Sequence, residues 1–359
     1  MLVGCTIASL IFANIIFKEA YQHFWHSTLL TKSIEFWIND GLMTIFFLQV
    51  GLEIEREMYV GELKDLKSSL LPVLAAIGGM LAPAAIHFVL NRGTISQNGY
   101  GIPMATDIAF SLGVLSLLGN RVPLSLKVFL TALAIIDDLG AILIIAIFYS
   151  SHISFAYLSL AILIFILLVA LNRLNIRSLW AYLLLGIAMW FCMYRSGVHA
   201  TISGVLLAFA IPFGQGDEKS LSTILQHRLH RPVAFIVLPL FALANTAIQI
   251  QYSFLSDLTW LNSLGIILGL VVGKPLGIFL FSWIGLITGW CVMPHTIRLK
   301  HIWAVGILAG IGFTMSIFIA LLAFKEASLI NSSKIAVLTG SLVSAVVGVL
   351  VLRSVVSKK

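Results

Sequence analysis

The sequence predicts an all-α membrane protein of about twelve transmembrane helices, built around two inverted three-helix repeats whose middle helices are interrupted. Three observations carry that expectation. Of the 359 residues 60% are hydrophobic and only 10% are charged, whereas soluble domains carry roughly 25% charged residues. Apolar runs recur along the chain at the length of about 20 residues that crosses a bilayer as a helix. The basic residues between those runs divide unevenly between the two sides of a membrane.

Read in order against Gly, Pro and charged breaks, the runs give helices over 1–17, 37–60, 70–90, 100–119, 124–149, 154–172, 179–194, 198–212, 232–250, 260–286, 302–324 and 335–353. The runs 179–194 and 198–212 are short enough to be tilted or partial spans. With both termini in the cytoplasm, Arg56, Lys64, Lys67, Arg121, Lys127, Arg173, Arg177, Lys219, Arg228, Arg231, Arg298, Lys300, Arg353, Lys358 and Lys359 lie inside. Only Lys18, Lys32, Arg92, Arg195, Lys325 and Lys334 lie outside, which is the asymmetry expected of a cytoplasmic membrane. Lys274 belongs to neither side.

Residues 70–150 and 260–353 each form a group of three helices that start on opposite sides. The middle helix of the first carries Pro103, Thr106 and Asp107, and that of the second carries Gly306, Gly310 and Gly312. Helices broken at matching positions of two inverted halves point to a transporter binding site. The longest polar stretch, Gly214 to Arg231, is too short to fold alone, so residues 1–359 are expected to be one polytopic membrane domain.

The composition excludes other classes. The formal charge of +7 is scattered over short loops instead of forming a nucleic-acid patch, and lipid is the expected partner. Cys5, Cys192 and Cys291 are widely spaced in apolar runs, which indicates neither a disulfide framework nor a metal cluster. The opening MLVGC lacks the charged and apolar regions of a processing signal, so the first helix is expected to begin at or near Met1. No cofactor is expected.

A charge at mid-bilayer depth costs roughly 2.5 to 3.5 kcal/mol on insertion scales, so each needs a partner, a cavity or a task. Asp137 and Asp138 lie thirteen and fourteen residues after Leu124, about 20 Å along a helix at 1.5 Å per residue. Lys274 lies at the middle of 260–286, and Asp107 in the first interrupted helix. An Asp137–Lys274 pair alone can be read as packing. One lysine, however, cannot neutralise three acids, so at least one carboxylate holds a proton, water or a cation. Neighbouring helical positions point about 100° apart, which gives Asp137 and Asp138 different duties. Carboxylates, the Thr106 hydroxyl and carbonyls freed at a helix break suit a small hard cation. Lys274 and Asp107 can instead balance the carbonyl and amide ends of broken helices.

Further acids lie towards the mouths. Asp40 reads either as an outer funnel acid or as a helix N-cap. Glu53 and Glu57 are four apart on one face and can draw cations in, while Glu55 and Arg56 read as a solvated helix end. His199, opening the short helix in YRSGVHATISG, is either a packing residue or a pH switch.

At these residues the sequence resembles the NhaA-type sodium/proton antiporters. WINDGLMTIFFLQVGLEIERE, PMATDIAFSLGVLSLLGNRVP, LTALAIIDDLGAI, SGVHATISG, LPLFALANT, VVGKPLGI and GILAGIGFTMSIFIA occur in the family's order over nearly the whole chain. The resemblance implies a bacterial inner-membrane transporter, not an enzyme, with crossing broken helices and a core bundle rocking against an interface domain. It implies electrogenic exchange of one Na⁺ or Li⁺ for more than one H⁺. Asp138 is then the main cation ligand and proton carrier, Asp137 lies beside it, and Lys274 pairs with Asp137. Thr106 and Asp107 belong to the crossing, Asp40, Glu53 and Glu57 to the funnels, and His199 to the pH response. A homodimer is implied less strongly, because Lys18 to Phe36 is too short for the family's outer β-hairpin. Thr223, Ile224 and Gln226 replace the family's basic pair and Glu ahead of His227 and His230, which implies a different pH set point.

Two other readings use the same residues. A sodium-coupled symporter would need an organic co-substrate. An intramembrane aspartyl enzyme would turn over a lipid or peptide.

Overall fold

The computed structural model describes residues 1–61, 66–119, 122–149, 153–214, 216–249, 260–294 and 296–356. In chain order the helices are α1 (Leu2–Ile16), α2 (Glu19–His26), α3 (Met43–Tyr59), α4 (Leu66–Leu90), a 3-10 segment (Gln97–Met104), α5 (Ile108–Ser116), α6 (Leu124–Phe148), α7 (Phe155–Arg173), α8 (Leu179–Ser196), α9 (Ile202–Ala210), α10 (Leu221–Pro232) and α11 (Leu238–Asn245). They continue with α12 (Leu261–Ile287), α13 (Leu299–Ala309), α14 (Phe313–Ala323) and α15 (Ala327–Val355). The protein is nearly all helical. Among the described residues six helices are long and apolar enough to cross a membrane, and α13 with α14 makes a seventh, bent by 51°. Backbone groups in lipid must be satisfied internally, which favours helices throughout.

Two compact units divide the chain: residues 1–61 with 142–249, and residues 62–141 with 250–359. In the first, α3 packs on α9 through small residues. A Cβ at Gly51 would meet Ala208, and one at Gly204 would meet the Thr44 carbonyl, so the backbones approach closely. The end of α11 is tied to the N-terminal helices by four side chains. Ser9 Oγ and Tyr21 OH donate to the Leu243 carbonyl, Gln22 Nε2 to Ala247 and Asn14 Nδ2 to Ile248, all at 2.8–3.1 Å. These bonds satisfy carbonyls that a helix end leaves without partners.

In the second unit, α4 lies against α12 with Gly78 facing Gly277, so close that a Cβ on either would collide with the other's carbonyl. Helix α12 contains a π-helical turn, Gly269–Gly273, immediately before Lys274. Two breaks lie in this unit. Residues 105–107 are extended between the 3-10 segment and α5, and residues 310–312 separate α13 from α14.

Several expectations need correction. The polar stretch Gly214 to Arg231 is helical from Leu221, with Ser220 accepting from Thr223 N as its cap. Helix α15 starts eight residues earlier than expected, so Lys334 is a buried helical residue and not a loop charge. Asp40 is no N-cap: the helical run begins at Ile34, Ser33 caps it through Phe36 N, and Asp40 sits inside the π-helical turn Trp37–Leu42. Glu55 is 5% exposed and not solvated, because α3 turns that position inward while Arg56 stays exposed. The segment after Lys18 does hold a hairpin, in which Thr28 pairs with Ser33 and Leu29 with Lys32. A two-residue turn with Leu30 at φ 62° suffices to close it. Lys32 Nζ lies over the Phe36 and Tyr194 rings, and Trp37 Nε1 donates to the Leu29 carbonyl. Of the basic residues assigned to the inner side, Lys64, Arg121, Lys358 and Lys359 lie outside the described residues.

Candidate functional site

The two breaks of the second unit meet. Asp107 N donates to the Ile311 carbonyl at 2.7 Å, joining one break to the other. Thr106 Oγ1 donates to the Ala309 carbonyl at 3.0 Å, Ser111 Oγ to Leu308 and Ser316 Oγ to Ile102. Each hydroxyl from one broken helix thus meets a carbonyl of the other.

Asp107 caps both outgoing helices. Its Oδ1 accepts from Phe110 N at 2.9 Å, at the start of α5, and its Oδ2 accepts from Thr314 N at 3.1 Å and Thr314 Oγ1 at 2.5 Å, at the start of α14. Two positive helix ends converge on one buried carboxylate. Lys274 serves the opposite pole: its Nζ donates to the Met104 carbonyl, at the last residue of the 3-10 segment.

The same Nζ lies 2.9 Å from Asp137 Oδ2, with both side chains fully buried. Thr106 Oγ1 donates to that oxygen at 2.8 Å. The other oxygen, Asp137 Oδ1, is buried without a hydrogen-bond partner among the described residues. Asp138 is 1% exposed and within electrostatic reach of Lys274. Asp137 thus holds the ammonium directly, with Asp138 in the same buried neighbourhood.

Thr106, Asp107, Asp137, Asp138 and Lys274 all belong to this unit, and the other candidates belong to the first one. There Glu53 Oε1 accepts from Gln49 Nε2 at 2.8 Å, with Glu57 and His230 within electrostatic reach. The Asp40 carbonyl accepts from Thr44 Oγ1. His199 lies in the turn ahead of α9, its Nε2 2.9 Å from the Tyr149 carbonyl. Sequence reasoning missed Thr314, Ser111 and Ser316. The signal was available, since Thr314 and Ser316 flank the second glycine-rich break as Thr106 flanks the first.

Comparison with known proteins gives a consistent set of matches. Residues 1–352 match the family model described as Na+/H+ antiporter 1. The Na(+)/H(+) antiporter NhaA of Flavobacterium psychrophilum is 57% identical over 354 residues, covering 99% of this chain and 92% of that one. The protein of the same name from Dechloromonas aromatica is 58% identical over 354 residues, covering 98% and 91%. That of Yersinia enterocolitica is 48% identical over 364 residues, covering 98% and 93%.

Proposed function

Because the chain belongs to the Na+/H+ antiporter 1 family, we propose that it exchanges cytoplasmic Na⁺ or Li⁺ for external H⁺ across a bacterial inner membrane. Both termini are cytoplasmic in this reading, and the exchange is electrogenic. It serves sodium and pH homeostasis.

One observation carries the reading: Asp137 and Asp138 are buried beside Lys274, whose ammonium pairs with Asp137. Charges in a low-dielectric interior must be compensated. Asp107 is engaged by the converging helix ends, and Lys274 compensates one further carboxylate. In this reading Asp138 takes a proton or a small cation in turn, and exchange follows from competition between them. Hard carboxylate and hydroxyl oxygens suit Na⁺ and Li⁺, and Asp138, Asp137 and Thr106 are the proposed ligands. Asp138 is the main ligand and proton carrier. Asp137 with Lys274 supplies the second titrating element, since releasing the ammonium from Oδ2 frees both groups to change protonation together.

Access alternates between the two sides about this site, through the inverted repeats 70–150 and 260–353 in a bundle of about twelve spans. Asp107 and Lys274 balance the amide and carbonyl ends of the broken helices, beside the bonds that join the two breaks. Asp40, Glu53 and Glu57 attract cations at the mouths, and His199 contributes to the pH response.

The test is reconstitution in vesicles with a pH-sensitive dye, adding Na⁺, Li⁺ and K⁺ in turn at several pH values. Na⁺ and Li⁺ are expected to collapse an imposed pH gradient, and K⁺ is not. Asp138→Asn abolishes the response. Collapse of the gradient by Na⁺ in that variant would show the assigned site to be wrong.

A further inference from the structure

Asp137 is half engaged: Oδ2 takes both Lys274 and Thr106, while Oδ1 is buried and accepts nothing among the described residues. A buried acceptor without a partner costs about 1–3 kcal/mol, so its persistence beside the charge site needs a reason. Helix α4 supplies the wall here. A Cβ built at Gly79 would lie 3.9 Å from Asp137 Oδ1, at ordinary van der Waals distance. Its neighbours face elsewhere: Gly78 meets the backbone of Gly277, and Met80 lies against Gly140, one turn beyond Asp137. Gly79 thus borders the open oxygen and brings no side chain to it.

We propose that Gly79 is a specificity-determining position: by carrying no side chain it leaves a coordination place open at Asp137 Oδ1, where the transported cation is bound in addition to Asp138. A hard cation sits about 2.0–2.6 Å from a ligand oxygen. A methyl carbon in contact with Oδ1 occupies the space such an ion and its remaining oxygens need. The place is then narrowed more for Na⁺ than for the smaller Li⁺. The inference rests on the antiport reading and deepens it.

Packing offers the competing explanation, because the same Cβ would lie 2.8 Å from Ile278 Cγ1 and 3.3 Å from its Cδ1. The two are separable. Ile278→Ala removes both atoms, so Gly79→Ala can be compared with Gly79 in that relieved background. If packing alone requires glycine, the alanine is harmless there. If the open oxygen requires it, the defect persists and depends on the ion.

The experiment measures KM for Na⁺ and Li⁺ in vesicles for wild type, Ile278→Ala and Gly79→Ala/Ile278→Ala, with calorimetric titration of both ions on the same detergent-solubilised proteins. The double variant is expected to raise KM for Na⁺ about tenfold over Ile278→Ala, with a smaller rise for Li⁺, and the calorimetric affinities shift in the same ratio. Unchanged ion affinities in the double variant overturn the assignment of Gly79, and so does an equal rise for both ions. Calorimetry keeps the answer readable where a variant binds but no longer turns over. Absence of Na⁺-driven proton movement in wild type would instead sink the antiport reading itself.

Discussion

Lys274→Met is the most informative single perturbation of the second unit. The ammonium it removes lies 2.9 Å from Asp137 Oδ2 with both side chains fully buried, and it also donates to the Met104 carbonyl. Breaking a buried ion pair by deleting one partner costs about 3–5 kcal/mol, because the remaining charge is stranded, whereas replacing both partners is often close to neutral. Thr106 still donates to Oδ2, and one hydroxyl does not replace a full counter-charge. The loss of the bond to Met104 adds roughly 1 kcal/mol. The expected cost of Lys274→Met is therefore about 4–6 kcal/mol. Asp137→Asn/Lys274→Met should recover roughly 2–3 kcal/mol of it. Equilibrium unfolding in mixed micelles, followed by the fluorescence of the eight tryptophans, measures each corner of the cycle. The deficit of the single variant should be smaller at acid pH, where a protonated Asp137 no longer needs a cation. Strict additivity of the two substitutions would refute the pairing and the charge argument built on it.

The same unfolding assay checks three more expectations. Thr314→Val keeps the shape of the side chain but removes the hydroxyl from Asp107 Oδ2, which should cost about 1.5–3 kcal/mol because the acceptor is charged; Thr314→Ser should recover most of it. Gly277→Ala drives a methyl into the Gly78 carbonyl and should cost at least about 1–3 kcal/mol, while Gly113→Ala, with nothing within 4 Å of its Cβ, should be neutral to slightly stabilising. Asn245→Ala breaks the reciprocal amide pair with Asn39, whose two bonds measure 2.7 and 3.3 Å, for about 1–3 kcal/mol in the first unit.

The charge logic of the site is visible in the sequence because lipid makes it so. Asp107, Asp137, Asp138 and Lys274 stand out in runs where any charge is costly. The breaks are equally legible, since Pro103 with Thr106 and Gly310 with Gly312 mark places where a helix loses its ladder. What stays hidden is which atoms meet. Nothing in the spacing says that Thr106 reaches the Ala309 carbonyl, or that Thr314 shares Asp107 with Phe110 N. Those contacts join residues some 200 positions apart and depend on how two breaks overlie. Helix α10 is hidden for a different reason: its LQHRLHRP segment is polar, which an apolar-run reading passes over although Ser220 announces its start. Glu55 was misplaced because a charged neighbour suggests solvent, whereas the turn of α3 decides which of the two faces inward.

The π-helical turn Gly269–Gly273 ends at the residue before Lys274. Such a turn holds one more residue than its α-helical equivalent, and one residue amounts to about 100° of rotation around the axis. The aim of the ammonium is consequently encoded in chain length as well as in residue identity. Excising one residue between positions 269 and 273 would let the turn revert to α-helical geometry with Lys274 still on its face, whereas the same excision in an α-helical stretch of α12 outside the turn would rotate everything beyond it with no site residue altered. The turn is thus the place in α12 where a one-residue change of length is taken up locally, a property no alanine scan would reveal.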